Sequence, residues 1–132
     1  MADGASAAVA DAVLASILND AAFTSYGPVY VQLHTGAPGA AGTANVAGES
    51  TRESAGSNPA FATPSGGITS NLNVITWTSV STSETYTNIT LWSAATGGTF
   101  IASGTITASA VTAGQNFSIP VGGLSVTFPV AA

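Results

Sequence analysis

The stretch ETYTNITLWSAATGGTFIASGTITA (residues 84–108) decides the fold class of this chain. It contains two runs rich in Thr, Ile and aromatic residues, a composition that favours β-strands. The segment ATGG between the runs (residues 95–98) supplies the glycines that a tight chain reversal needs. The stretch therefore predicts an antiparallel β-hairpin.

Shorter strands are predicted on both sides of this hairpin. In PVYVQLH (residues 28–34), Val29, Val31 and Leu33 alternate with Tyr30, Gln32 and His34, as in a strand with one buried face. Further strands are expected around residues 49–54, in residues 71–80, at residues 117–119 and at residues 124–128. About seven short strands with turn signals between them indicate a mainly β fold, a single β-sandwich or jelly-roll-like domain. The residues expected in its core are Val29, Val31, Leu33, Ile75, Trp77, Leu91, Phe100, Ile106, Phe117, Leu124, Val126 and Phe128.

The N-terminus follows a helical period instead. In SAAVADAVLASILND (residues 6–20), apolar residues recur three to five positions apart, which predicts one amphipathic helix with Ser6 as its N-cap. We therefore divide the chain into a helical segment (residues 1–20) and a β-sandwich domain (residues 21–132). A short helix must pack on something, and both its own sheet and another subunit are open interpretations. The apolar stripe consists of Val9, Val13, Leu14, Ile17 and Leu18.

The chain is poor in charge. Charged residues make up 5% of its 132 residues, against about a quarter in an ordinary soluble domain. Arg52 is the only cationic residue, beside six carboxylates. Proteins that bind nucleic acid or anionic membranes need several Lys or Arg side chains, so we expect neither partner.

This low charge also predicts lasting association, because a free monomer usually relies on charged residues for solubility. The alternative is a secreted or envelope β-domain that is simply poor in charge. No apolar run reaches the ~18 residues of a membrane span, and the N-terminus lacks the basic region of a signal peptide. The absence of cysteine excludes disulfides and zinc-thiolate sites.

The residues offer little catalytic chemistry. His34 is the only histidine, and neither a GxSxG elbow nor a phosphate-binding glycine pattern accompanies it. Glu49 lies near Arg52, which favours a structural ion pair over the paired acids of a glycosidase. We expect no catalytic residue, no metal and no cofactor, and we expect His34 to hold the exit of its strand by hydrogen bonding.

Three aromatic residues leave a binding interpretation open. Trp77, Tyr86 and Trp92 lie in predicted strands among Ser and Thr residues, where exposed rings would suit a sugar-binding patch. The alternative is that they are shared between the core and its rim, as aromatic residues at alternating strand positions often are.

Several of these segments resemble small structural proteins of tailed bacteriophages. The segments are PVYVQLHTGAPGAAGTAN (residues 28–45), LWSAATGGTFIASGTIT (residues 91–107) and VTAGQNFSIPVGGLSVTF (residues 111–128). They resemble the LHTGxPG segment, the LWDAATGG-like hairpin and the AGD-to-GLxVxF ending of proteins labelled tail-fibre, minor tail or head-decoration proteins. Ser93 stands where those proteins often have Asp, and Arg52 is the equivalent of an arginine in their middle strand.

The resemblance implies a non-enzymatic virion structural protein. The chain lacks the heptads or shaft repeats of a long fibre, so we expect a capsid decoration (cement) protein on the outer capsid surface. We expect it to form a homotrimer that contacts the major capsid protein or another virion protein. The alternative is a tail or tail-tip/fibre protein with a glycan- or receptor-binding surface. The candidate interface and scaffold residues are Val9, Val13, Leu14, Ile17, Leu18, His34, Thr35, Gly36, Pro38, Gly39 and Asn45.

Overall fold

The computed structural model describes residues 4–131, so the outermost ends of the two predicted segments, residues 1–3 and 132, lie outside the described residues. One helix precedes eight strands in this range. The elements are α1 (Ala7–Leu18), β1 (Tyr30–His34), β2 (Glu53–Ser54), β3 (Ile68–Ser70), β4 (Ile75–Trp77), β5 (Glu84–Trp92), β6 (Phe100–Val111), β7 (Phe117–Ile119) and β8 (Ser125–Thr127). The mainly β fold with one N-terminal helix is confirmed, with eight strands where about seven were expected.

A four-stranded antiparallel sheet forms the centre of the fold, in the order β2-β1-β5-β6. The predicted hairpin is its β5–β6 pair, and the register places Trp92 opposite Phe100. Three residues of β6, at 106–108, face a single residue of β5, which makes a bulge in the longer strand. Strand β2 is shorter than expected: residues 49–52 lie outside any strand, and only Glu53 and Ser54 pair with β1.

Strand β1 is buried on both faces, which the alternation in the sequence did not predict. Val31 and Leu33 point into the main core as expected. Gln32 and His34 on the opposite face are also buried, because the chain that follows β1 folds back over them. The Gln32 amide donates to the carbonyl of Ser50 at 3.2 Å, and His34 contacts the carbonyl of Ala44.

Two small sheets complete the domain. Strand β3 pairs with β8, and β4 pairs with β7, both antiparallel. Asn71, which is buried, ties them together: its amide donates to the carbonyl of Pro120 at 2.9 Å, and its side-chain oxygen accepts from the backbone N–H of Leu124 at 2.9 Å. The main core lies between these small sheets and the central sheet.

Most of the predicted core residues are buried. Val31, Leu33, Ile75, Trp77, Leu91 and Leu124 are fully enclosed, while Val29, Phe100, Ile106, Phe117 and Val126 are partly buried. Phe128 was wrongly placed in the core: it follows the end of β8 and is 41% exposed. The prediction omitted five large buried residues: Val80, Tyr86, Ile89, Trp92 and Ile119.

Helix α1 lies against the edge strand β6 near its N-terminus. Ser6 is the N-cap as predicted, since its side chain accepts a hydrogen bond from the N–H of Val9 at 3.2 Å. Val9 is the only buried residue of the helix. The backbone N–H of Ser6 donates to Ile101 of β6 at 2.8 Å, and so the start of the helix is tied to the sheet.

Burial predicts very different effects for two leucines. Leu33→Ala should lower the free energy of unfolding by about 3 kcal/mol, because it leaves a cavity in a close-packed core. Leu18→Ala should change it by less than about 0.5 kcal/mol, because that side chain is largely exposed. Urea unfolding of both variants checks this; equal losses would show that the helix is packed more tightly than described.

Candidate functional site

His34 is the centre of a buried chain of hydrogen bonds. Its side chain is fully enclosed, with Nδ1 2.8 Å from the carbonyl oxygen of Ala44 and Nε2 2.8 Å from Oγ1 of Thr90. The same Thr90 oxygen lies 2.8 Å from Nε1 of Trp92. All three side chains lie on the face of the central sheet opposite the main core, in the paired strands β1 and β5.

When His34 is neutral, one assignment of hydrogens satisfies every donor and acceptor along these hydrogen bonds. The Trp92 indole can only donate, so Thr90 accepts from it and gives its own hydrogen to His34 Nε2. Nδ1 of His34 then carries the proton and donates it to the Ala44 carbonyl. Burial lowers the pKa of His34 below its usual range, and the charge of Arg52 adds to the same effect. His34 therefore joins two strands to a loop, the role predicted for it at the exit of β1.

Arg52 closes this face of the sheet. Its guanidinium carbon lies 3.9 Å from the centre of a Trp92 ring, a cation–π contact. One terminal nitrogen donates to the carbonyls of Ala94 at 3.0 Å and Gly97 at 2.7 Å, both in the turn between β5 and β6. The only cation of the chain thus fastens the hairpin turn to the loop that precedes β2.

The predicted ion pair between Glu49 and Arg52 is wrong. Glu49 accepts hydrogen bonds from the backbone N–H groups of Thr51 at 3.3 Å and Ser81 at 3.0 Å. Hydrogen bonding to Thr51, the main cause, holds the pKa of Glu49 below its usual range. Backbone N–H groups in a folded loop satisfy this carboxylate, so it needs no cation.

Glu84, at the start of β5, also accepts hydrogen bonds from backbone N–H groups. Its two oxygens accept from the N–H groups of Gly48 at 2.9 Å and Glu49 at 3.1 Å. Together, Glu49 and Glu84 attach residues 48–51 to the segment around residues 81–84. These carboxylates are structural acceptors for backbone groups.

Residues 35–46, called here the glycine loop, form a compact hairpin-like excursion after β1. The backbone N–H of Thr35 donates to the carbonyl of Asn45 at 2.9 Å, and the Asn45 amide donates to the carbonyl of Ala37 at 2.8 Å. Gly42 packs on the ring of Phe100: a Cβ at this position would lie 2.8 Å from ring atoms. The loop therefore needs glycine there for close packing, as well as for the positive φ of 70°.

The predicted interface residues separate into three groups by burial. Val9, His34 and Pro38 are buried and serve as scaffold within the chain. Val13, Gly36 and Gly39 are partly buried. The residues open to a partner are Leu14, Ile17, Leu18, Thr35 and Asn45.

The sugar-binding interpretation of Trp77, Tyr86 and Trp92 is wrong, because all three side chains are buried. Trp77 and Tyr86 both pack on Phe117, with ring centroids 5.8 Å and 5.0 Å apart. The Tyr86 hydroxyl is enclosed with no hydrogen-bond partner, and burial together with the nearby Glu84 and Glu49 charges raises its pKa to about 12. These rings build the core and offer no stacking platform to a ligand.

Sequence reasoning missed a second exposed apolar surface. Residues 68–74 and 121–130 are brought together by β3–β8 pairing and by Asn71, and they expose large apolar side chains. We call the exposed apolar side chains of these two segments the C-terminal patch; they are Ile68, Leu72, Val74, Val121, Phe128 and Val130. A groove of about 300 Å³ lies on it, lined by Pro64, Gly67, Ile68, Thr69, Val126 and Phe128. No sequence pattern marks this surface, since most of these residues recur at even spacings, as core-facing strand positions do.

Residues 4–131 contain neither a cluster of metal-ligating side chains nor a membrane-spanning helix. No three side chains of the His, Cys, Asp or Glu type come together there as a metal site would require. No helix of this range has the length and apolar character needed to cross a membrane.

The burial of neutral His34 predicts acid sensitivity. Its pKa is lower in the folded than in the unfolded chain, so the folded state is favoured fully above about pH 6.5 and loses this stabilisation as the pH falls below it. The melting temperature should therefore drop between pH 7.5 and pH 5. His34→Gln should be less stable at pH 7.5, with a flatter pH profile across this interval.

Glu49→Gln is the matched control for this experiment. The pKa of Glu49 is also lowered, but its stabilisation is lost only in the more acidic range of a carboxyl group. The slope between pH 7.5 and pH 5 should therefore persist in Glu49→Gln. A slope that survives in His34→Gln would contradict the assignment to His34.

Comparison with known proteins identifies the family of this chain. A family model described as podophage GP4 fiber I protein gp80 matches residues 4–127. No curated protein matches the chain. The predicted resemblance to phage structural proteins is confirmed at this level, while the LHTGxPG segment as a family signature stays a prediction. Because the match covers nearly the whole chain, the chain belongs to the podophage GP4 fiber I protein gp80 family and is a phage virion structural protein.

Proposed function

We propose that this chain is a non-enzymatic fibre protein of the phage tail, which acts as a homo-oligomer. The single observation that carries the proposal is the match of residues 4–127 to a phage fibre family. The expectation of a capsid decoration protein on the head has no support from this family, and the tail or fibre alternative is the closer description.

The site geometry supports a role without catalysis. The only histidine and the only cation are both committed to contacts within the fold. Glu49 and Glu84 accept backbone N–H groups, and their oxygens hold loops in place. Side chains held in this way stabilise the domain, and both ring nitrogens of the buried His34 are bonded to groups of the chain itself.

Self-association is supported by the C-terminal patch. The segments that form it are themselves uncharged, because residues 54–83 and 85–131 contain no charged residue. The net charge of −5 therefore comes from other segments of the chain, so two copies that meet here bury no charged side chain of the patch itself. An exposed apolar surface without charge is typical of a protein–protein interface. We propose that copies of the chain associate through this surface, as a trimer.

The position of the protein on the particle tests the tail assignment. Antibody-gold labelling or cryo-electron microscopy of intact virions should place the chain on the tail. Density confined to the outer surface of the head would contradict the proposal and restore the decoration hypothesis.

Substitutions in the C-terminal patch test self-association. The wild-type protein should be larger than a monomer at micromolar concentration. Phe128→Ser with Val130→Ser should shift the association equilibrium at least about tenfold towards the monomer, because the interface loses two apolar side chains. Light scattering gives the mass. Val46→Ser, an exposed apolar position outside the patch, is the control and should leave the mass unchanged. A monomeric wild type would contradict the proposal.

A further inference from the structure

We propose that the exposed face of helix α1 is an anchor that docks in an apolar groove, rimmed by Lys or Arg, on a different virion protein. The inference rests on the proposed function, since it assigns to this fibre protein the surface that holds it on the particle. It deepens that function by stating the chemistry of the partner.

Most of the apolar stripe of helix α1 is uncovered in the single chain. Val9 is buried and Val13 is partly buried, in the helix that contacts β6. Leu14, Ile17 and Leu18, in the second half of the helix, are 51%, 70% and 73% exposed. A helix that is apolar around most of its circumference is normally buried, so a second covering surface is missing from the single chain.

The two ends of the helix are held differently. At its start, the N–H of Ser6 donates to Ile101, and the N–H of Ser103 donates to Gly4 at 2.9 Å. After its end, residues 19–29 have no regular structure and are mostly exposed. The most exposed apolar side chains therefore lie at the end that the domain leaves uncovered, where a partner has access.

The charge at this end identifies the partner as cationic. The last turn of α1 contains no basic residue, and its free carbonyl groups form the negative end of the helix dipole. Asp20 adds a negative charge two residues beyond Leu18. Lys or Arg side chains beside an apolar groove would complement both the dipole and this carboxylate.

A second copy of this chain does not have the required chemistry. The sequence contains no lysine, and Arg52 is its only arginine. That guanidinium already donates to Ala94 and Gly97 and lies on the ring of Trp92. The cation must therefore come from another protein, which separates this anchor from the uncharged C-terminal patch.

Rebinding to particles that lack this protein tests the inference. The wild-type protein should bind such particles. Ile17→Ser with Leu18→Ser should reduce the number of bound copies about tenfold or more, because the helix loses two apolar side chains that the groove would bury. Asp20→Lys should also reduce binding, and added salt should weaken wild-type binding. The control Val46→Ser should bind like wild type.

Light scattering and thermal melting of the same variants separate the outcomes. Loss of particle binding with unchanged mass and melting temperature supports the anchor. If the Ile17 and Leu18 double variant binds particles as well as wild type does, the inference is overturned. A fall in the oligomeric mass of this variant would also overturn it, because it would assign the helix to self-association. If wild type itself is absent from virions and does not bind these particles, the proposed function fails together with the inference.

Discussion

The buried hydrogen-bond chain through Trp92, Thr90 and His34 is the constraint on which the central sheet depends. It lies on the face of β1 and β5 that is turned away from the main core, and it continues to the carbonyl of Ala44 in the glycine loop. Burying a polar group costs free energy unless the group finds a hydrogen-bond partner. These hydrogen bonds therefore fix the rotamers of Trp92, Thr90 and His34, and they connect the glycine loop to β1 and β5.

Three of the seven charged residues of the chain help to cover this second face. Arg52 lies over Trp92 and holds the hairpin turn, while Glu49 and Glu84 hold the segment that leads to β2. As a result, side chains that could support chemistry are used to enclose the sheet. A phage structural protein needs a domain that withstands conditions outside a cell, and an interior satisfied in this way serves that need.

The apolar surfaces that remain exposed lie in two separate regions. The C-terminal patch is uncharged, whereas the end of α1 combines apolar side chains with the negative charge of Asp20 and of the helix terminus. Different electrostatic surroundings suit different partners, even where the buried side chains are similar. The contrast supports self-association at one surface and attachment to another protein at the other.

The sequence by itself determined the local structure: period-two runs and the ATGG turn predicted the β5–β6 hairpin, and Ser6 with its apolar stripe predicted α1. It also determined that the chain has one cation and no lysine. Only the tertiary structure decided that Arg52 contacts Trp92 instead of Glu49, that Tyr86 and Trp92 are buried, and that Phe128 is exposed. Alternation shows that a strand has two faces, but whether each face is covered depends on residues distant in the chain, and local patterns carry no record of those contacts.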